Sequence, residues 1–404
     1  MLVIAAMVAN ALGSVSYWKP RGSQITGENV AAGFGSGLKM DATGSRFVTC
    51  TTKPRITGDF NCSRMDIYDY TAGEYVFSGF PELTPECVVS EITTCVVAIS
   101  GDGTHVAHVV DESPIMIHEY INSLWVPKGT STYVSPAMYA SLALPAVGSD
   151  IGSQLPLIAA NTTEKGSIDA YELDDAEPLL SLRGAEVSDG DPPYGTDNFG
   201  TVLDIAWDAS EGETVRLCVG AHDTTGESIS AHTLDSTDGG LTFTLNNGTM
   251  VMYCDTAGPL SGPQVAISSD GSTFALSCSV GASGYPYGRV SVYKYVSGVF
   301  SERHDAIYGT ATTPGFGTSL ALNDDGTILA VGITGTNTEG TIVRTYSDND
   351  DAWVDNGGSA LFSTINLSTP LTTYNNAYGP QVQLSADGML YIIMYILRFI
   401  ISLI

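Results

Sequence analysis

Charge is what this sequence has least of, and the little it has is mostly of one sign. Only 15% of the 404 residues are charged, with 16 Lys and Arg against 44 Asp and Glu, for a formal net charge of −28. So few cations cannot form the basic patch that phosphate binding needs, so no nucleic-acid partner is expected. The balance favours solubility and association with cations instead. Other absences narrow the field further. No stretch carries the 3.6-residue periodicity of an amphipathic helix. No Pro-rich linker, charge block or low-complexity tract divides the chain. There is no CxxC pair, no phosphate loop, and no G-x-S-x-G elbow beside a His/Asp partner. The six histidines (His105, His108, His118, His222, His232 and His304) are scattered. His105 and His108 project to opposite faces of a regular strand, which disfavours a metal shared between them.

Turns and short strands are abundant. Forty-four glycines accompany a 43% hydrophobic fraction, and the same plan recurs along the chain. An apolar strand meets a tight Asp/Gly turn and then a second apolar strand, as in GFGTSLALNDDGTILAVGI (315–333), GPQVAISSDGSTFALSC (262–278) and TTCVVAISGDGTHVAHVV (93–110). GFGSGLKMDATGSRFVTC (33–50) and GPQVQLSADGMLYIIM (379–394) repeat it. The turn glycines Gly44, Gly103, Gly212, Gly271, Gly326 and Gly388 are spaced 59, 109, 59, 55 and 62 residues apart. The double interval predicts a degenerate copy, found at 140–145 and in LPLIAAN (155–161). A third strand follows in each unit, as in GSVSYW, SRMDIYDY, PIMIHEY and GRVSVYKY. A weaker fourth comes next, as in GEYVFSG, SLWVPKG and DAWVDNG.

Four antiparallel strands repeated at this period predict an all-β, seven-bladed β-propeller forming one domain over residues 1–404. Residues 1–32 are expected to complete the last blade, 33–377 to form six blades, 378–394 to begin the closing blade, and 395–404 to be an apolar tail. Pairing of the terminal segments closes such a ring and removes its long free edge. One conflict stands in this assignment: residues 2–7 and 389–394 both read as a second strand.

MLVIAAMVANA has the Ala-x-Ala end of a secretory signal at residues 9–11. It lacks a positive start and runs straight into GSVSYW, so a strand is expected. The run 389–404 would span about 24 Å as a helix, short of a hydrocarbon core of about 30 Å. A strand leading into the tail is expected there, and membrane contact is not.

Seven cysteines are present. Cys50 and Cys62 face each other across a predicted hairpin, and Cys87 and Cys95 form a second local pair; both are expected as disulfides. Pairing among Cys218, Cys254 and Cys278 cannot be read. Sequons fall at Asn61, Asn161, Asn247 and Asn366 as candidate glycosylation sites. Paired cysteines, sequons, acidity and few lysines together predict a secreted or cell-surface glycoprotein.

The unit F-G-x-S-L-A-L-x-x-D-G-x-x-L-A-V-G followed by G-x-I/V-x-x-Y resembles the FG-GAP-type propeller repeat. It is carried best by Phe316-Gly317, Asp325-Gly326, Val331-Gly332, Gly340, Tyr346 and Trp353, and its opening recurs at Phe34-Gly35 and Phe199-Gly200. The resemblance implies extracellular recognition or assembly. Integrin-type members hold calcium in a D-x-D-x-D-G loop; here the turns read NDDG, SSDG, SGDG and SADG, so that site is not carried over. Ser236-Thr237-Asp238-Gly239-Gly240-Leu241-Thr242-Phe243 resembles an Asp-box, which implies a folded hairpin with its aromatic residue packed inward. Sialidases carry such boxes, and so do non-enzymatic propellers.

Two acidic clusters are candidate calcium sites, since calcium takes several oxygen ligands from a flexible loop. They are Asp189, Asp191 and Asp197, and Asp348, Asp350 and Asp351. No catalytic residue is assigned. The expected function is a non-enzymatic propeller contacting other surface proteins or glycans, including as a self-assembling subunit of a surface structure. The alternative is a sialidase-like glycan hydrolase, which would converge Arg, Tyr and paired carboxylates on the central mouth.

Overall fold

The computed structural model describes residues 3–12, 15–25, 37–52, 63–79, 95–110, 114–131, 139–144, 156–161, 167–173, 179–187, 199–208, 214–222, 228–237, 243–245, 250–253, 263–279, 287–310, 315–333, 342–349, 351–360, 381–388 and 390–395. Among these every regular element is a strand. β1 (Val3–Leu12) and β2 (Val15–Ile25) come first. β3 (Leu38–Met40), β4 (Arg46–Thr52), β5 (Ser63–Thr71) and β6 (Glu74–Gly79) form an antiparallel meander. β7 (Cys95–Ile99), β8 (His105–Val110), β9 (Met116–Ile121) and β10 (Leu124–Ser131) form another, as do β11 (Tyr139–Ala143), β12 (Pro156–Asn161), β13 (Ser167–Leu173) and β14 (Leu179–Val187). β15 (Val202–Asp208), β16 (Thr214–His222) and β17 (Ser228–Ser236) are followed by two short pieces, β18 (Thr244–Leu245) and β19 (Met250–Tyr253), both paired along β17. β20 (Gln264–Ile267), β21 (Thr273–Cys278) and β22 (Arg289–Val296) likewise carry β23 (Val299–Glu302) and β24 (Ile307–Tyr308) on β22. The last meander is β25 (Phe316–Leu322), β26 (Ile328–Ile333), β27 (Ile342–Asn349) and β28 (Ala352–Ala360), before β29 (Gln381–Leu384) and β30 (Leu390–Tyr395).

The expectation of seven separate four-stranded blades is not met. Five sheets are discrete blades, three of four strands and two of five, and the other eight strands make one continuous sheet. Two edges cause this. The outer strands β10 and β14 pair in parallel at Thr130–Leu179 and Ser131–Leu180, so the β7–β10 and β11–β14 meanders fuse. Unpaired strand edges that meet satisfy each other's backbone groups in this way. The five-stranded blades arise because the outer strand is interrupted. Between β23 and β24, the Arg303 amide turns back to the Val292 carbonyl and His304 takes φ +65°.

Closure by the terminal segments is present. β30 lies between β29 and β1, with Val3 opposite Tyr395 and Val8 opposite Leu390, and the sheet order is β2-β1-β30-β29. The conflict over the second strand is resolved in favour of β30. Val3–Leu12 becomes the third strand, and Val15–Trp18 of GSVSYW lies in the fourth rather than the third.

The core is a ring of interfaces between blades. Val48, Cys50, Met65 and Ile67 pack on Cys95, Val97, Ile99 and Val106 of the next meander. The same arrangement recurs between Ala275, Val290, Val292 and Phe316, Leu329, Val331, and between Ala330, Val343 and Val382, Leu384. The β20–β24 blade is therefore covered on both faces, so β21 is buried at all six residues rather than at alternate ones. Each fully buried Val, Leu or Phe stabilises the fold by about 1.5–3 kcal/mol.

The turns between first and second strands fix these interfaces in register. In TTCVVAISGDGTHV the Ser100 hydroxyl donates to Asp102 Oδ1 (2.6 Å), which also accepts from the Thr104 amide (3.0 Å), while Ser100 Oγ accepts from the His105 amide (2.9 Å). Ser268, Asp270, Ser272 and Thr273 repeat this arrangement, and Asn323, Asp325, Thr327 and Ile328 do so with an amide in place of the hydroxyl. The turns also bond to one another. Ala42 N donates to Gly101 O (2.9 Å), Ala386 N to Ala42 O (2.7 Å), Asp324 N to Ala386 O (2.9 Å) and Asp270 N to Asp324 O (3.2 Å). Five successive turns are thus linked by one line of backbone hydrogen bonds.

The turn glycine is required on two grounds at Gly326: its φ is +68°, and a Cβ there would lie 2.4 Å from Thr273 Cβ of the neighbouring blade. Gly298 shares a positive φ but faces open space. Gly326→Ala should therefore cost about 3 kcal/mol or more through overpacking plus left-handed strain, whereas Gly298→Ala should cost about 1–2 kcal/mol. Urea unfolding of both variants checks the difference; equal losses would mean the inter-blade contact contributes nothing.

Candidate functional site

The inner strands β3, β7, β11, β15, β25 and β29, with the turn after β20, surround a central cavity of about 120 Å³. Met40, Ala98, Ile99, Leu142, Leu144, Ile205, Leu322 and Leu384 contribute to its lining, but more of the lining surface is polar than apolar. The side chains of Lys39, Asp204, Asp324 and Gln383 are the main polar groups. Asp204 is already engaged, since its Oδ2 accepts the Ile267 amide at 3.0 Å. The lining includes no Arg, Tyr or His, and the volume is below the roughly 300 Å³ of a small-molecule pocket. Behind Asp204 the Cys218 thiol is fully buried and free; burial pushes its pKa well up and the Asp204 charge adds to this, so it is not a nucleophile.

Of the predicted calcium ligands, Asp189, Asp191, Asp197 and Asp350 lie outside the described residues. Asp348 is not available. Its carboxylate is bonded to Arg303 and to His304 Nε2 (2.8 Å) from the preceding blade, and its side chain is 5% exposed. Burial alone would raise its pKa, but the hydrogen bonds from His304 and Arg303 hold it below the usual carboxylate range. Asp351 is an exposed turn residue. Among the described residues no group of three or more metal-ligating side chains is brought together. Asn61, Asn247 and Asn366 lie outside the described residues, and Asn161 ends β12, opposite Ser167.

The disulfide expected between Cys50 and Cys62 is replaced by one between Cys50 and Cys95, with Cα atoms 6.0 Å apart. The reason is topological. Cys50 on β4 and Cys95 on β7 face each other across the interface of neighbouring blades, so the bond joins blades instead of closing a hairpin. Cys95 is therefore not paired with Cys87; Cys62 and Cys87 lie outside the described residues. Cys278 is also disulfide-bonded. Of the Asp-box, Phe243 packs inward as expected, in the cluster with Leu217 and Leu234.

Two arginines that carry no sequence motif bolt neighbouring blades together. Arg46 binds Asp69 through Nε (2.5 Å) and Nη2 (2.9 Å), and Nη1 donates to Gly103 O of the next turn (2.6 Å). Its guanidinium lies 4.1 Å from the ring centroid of Tyr120. Arg216 repeats this with Asp235, Gly271 O and Tyr295. Burial opposes charge on Asp69, but the Arg46 and Ser78 hydrogen bonds outweigh it and its pKa is lowered.

Exposed apolar side chains collect on the outer strands. Leu124 is 67% exposed beside Val126 on β10, with Val76 and Phe77 on β6 of the neighbouring blade. Val296 and Val299 flank a second tip, and Leu245 and Tyr253 lie on the outer pieces of a third blade. The tips are tight two-residue hairpins in which both central residues take positive φ: Ala72-Gly73, Asn122-Ser123 and Ser297-Gly298. The signal for this rim was present in the sequence as apolar residues on both sides of short polar turns.

This architecture is similar to that of solved β-propellers. The structure of U3-55K matches with a TM-score of 0.52 and 12% identity over 92% of this chain and 97% of that one. The β-propeller domain of Cps50 (Swd1) from Myceliophteria thermophila matches with a TM-score of 0.52 and 9% identity over 91% and 97%. The RRP9 WD40 repeats match with a TM-score of 0.51 and 12% identity over 92% and 96%. At such identities the likeness is one of fold alone. No family model and no curated protein matches the chain.

Non-reducing peptide mapping should recover Cys50 linked to Cys95; a Cys50–Cys62 peptide would refute the inter-blade bond. In a double-mutant cycle of Arg46→Met and Asp69→Asn, the coupling energy should be about 1–3 kcal/mol by thermal or urea unfolding. Additive losses would show that the pair is incidental to the fold.

Proposed function

We propose that this chain is a non-enzymatic propeller scaffold for protein contact, displayed outside the cell and able to act as a repeating subunit of a surface assembly. The observation that carries the reading is the contrast between a small central cavity whose lining holds no Arg, Tyr or His and an outer rim of exposed apolar side chains around Leu124 and Val299. Exposed apolar groups that collect in this way mark contact surfaces. The likeness to solved propellers, the RRP9 WD40 repeats among them, supports the propeller fold on which this reading rests. The FG-GAP-like residues Phe316-Gly317 and Asp325-Gly326, the Cys50–Cys95 disulfide and the four sequons support an extracellular setting. A net charge of −28 opposes close packing of copies unless contacts are apolar or bridged by cations. Asp189, Asp191 and Asp197 are the residues proposed to take calcium in that bridging role, and glycans are a second class of contact.

Sedimentation velocity of purified protein, with and without millimolar calcium, tests this. Self-association should be present, should weaken on chelation, and should be lost in Leu124→Asp/Val126→Asp with the melting temperature changed by no more than about 2 °C, since exposed substitutions are close to neutral for folding. Assembly that survives those substitutions would remove the rim from the proposal. Glycan hydrolysis abolished by Asp204→Asn or Asp324→Asn would overturn the scaffold reading itself.

A further inference from the structure

Two histidines are buried face to face at the interface between the β3–β6 blade and the β7–β10 meander. His108 on β8 and His118 on β9 are 1% and 0% exposed, and their rings are near parallel with centroids 5.5 Å apart. None of their four ring nitrogens has a hydrogen-bond partner. Buried polar atoms are almost always bonded, so four orphans at one contact need a reason.

Packing alone does not supply it. The cross-strand pair Val106–His118 occupies the place that Phe47–Tyr68 and Phe274–Tyr293 occupy in their blades. Those two pairs are stacked at 4.9 Å. The fold thus accepts tyrosine at the position of His118, yet this interface carries two ionisable rings.

Nothing nearby would stabilise their positive charge. His108 and Val106 lie two residues apart on one strand face, and Val106 packs on Val48, Cys50, Met65 and Ile67 of β4 and β5 and on Cys95, Val97 and Ile99 of β7. On β9 and β10 the same face continues with Tyr120, Trp125 and Pro127. The charged groups of this face among the described residues are Arg46 and Asp69, which neutralise each other, and Lys39 and Asp41 toward the inner end, where Asp41 bonds Thr43 and Ser45 of its own turn. His105, Glu119 and Lys128 form their own contacts on the reverse face. The Cys50–Cys95 disulfide does not titrate.

We propose that His108 and His118 form an acid-operated release between these two blades, closed when both rings are neutral and opened when they take up protons, with Cys50–Cys95 as the tether that keeps the opening local. Burial lowers the pKa of His108 to about 3, with the His118 charge contributing, and burial lowers that of His118 to about 4. Both lie below the exposed value of about 6.5, so the open state binds protons more tightly. The closed interface has its full stability above about pH 6.5 and loses it as pH falls toward 4 and 3. With two protons taken up, the opening equilibrium rises by up to about a hundredfold per pH unit across that window. Asp69 and Asp348, whose pKa values are lowered, lose their contributions only below about pH 4, so the interval from pH 6.5 to 4 belongs to the histidines.

Hydrogen exchange of the disulfide-intact protein at pH 7 and pH 5, corrected for intrinsic rates, reads this directly. Protection in β4, β8 and β9 should fall at least tenfold while β21 and β22 keep theirs. In His108→Leu/His118→Tyr the difference should vanish. Should that variant fail to fold, the histidine C2 protons of the native protein decide by NMR: two of them should stay at neutral-ring positions down to about pH 4. Titration of both near pH 6.5 in the closed protein, an undiminished loss in the folded variant, or equal loss in every blade would each overturn the proposal.

Discussion

The hydrogen-bonded Asp/Gly turn is the constraint on which the rest of this molecule depends. Its aspartate or asparagine shapes the loop, its glycine lets the chain reverse in the left-handed region, and its backbone bonds to the turn of the next blade. Blade interfaces in the apolar core are non-directional, and buried area alone would tolerate a slip of one blade against another. A line of backbone hydrogen bonds between turns does not. The inner rim is thereby committed to holding the ring, which leaves the outer strands as the part of each blade free to vary. The same commitment explains why these aspartates form no integrin-type calcium loop: Asp102, Asp270 and Asp325 spend their oxygens on their own turn.

The scarcity of cations has a structural counterpart. Arg46, Arg216, Arg289, Arg303, Arg344 and Lys128 are each held against a carboxylate. Three of them link blades: Arg46 and Arg216 reach the next turn, and Arg303 reaches Asp348. Exposed pairs such as Arg344–Asp355 contribute little to stability, whereas the bidentate, stacked pairs of Arg46 and Arg216 combine ion pairing with packing. Each such pair cancels one carboxylate, so the net charge of −28 is carried by the remaining acidic side chains.

Most strands, and the closing contact of the termini, were legible from alternation, turn residues and a repeat, whereas the order of the two N-terminal strands in the closing blade was misread by one place. What could not be read depended on which distant segments meet. The fusion of two meanders rests on the β10 and β14 edges, which have no sequence signal of their own. A hairpin is the nearest geometry a sequence offers, and it pairs Cys50 with Cys62, 12 residues away; the ring instead brings Cys95 opposite, 45 residues away. Asp348 read as a solvated ligand because Arg303 and His304 approach it from another blade. His108 was placed correctly on the face opposite His105, but the stacking partner that gives it meaning, His118, lies on the next strand. Function was the least legible, since a contact surface is defined by exposure, and exposure follows from the assembled blades.

The disulfide and the histidine pair fall at the same interface, and energetics relates them. A neutral imidazole buried without partners leaves a donor and an acceptor unsatisfied, each costing about 1–3 kcal/mol, so the pair weakens its interface by several kcal/mol even before protonation. A disulfide closing a 45-residue separation contributes about 4 kcal/mol by the chain-entropy estimate, a term of the same order. Other interfaces of the ring, such as that between Ala330 and Val382, are held by apolar packing and turn hydrogen bonds. The interface joined by Cys50–Cys95 is thus one that also carries a destabilising buried pair. A selective pressure for stability alone would have replaced the histidines with the tyrosine used at Tyr68 and Tyr293. Their presence beside a compensating bond fits a contact whose strength is meant to depend on conditions, in a ring otherwise built to be rigid.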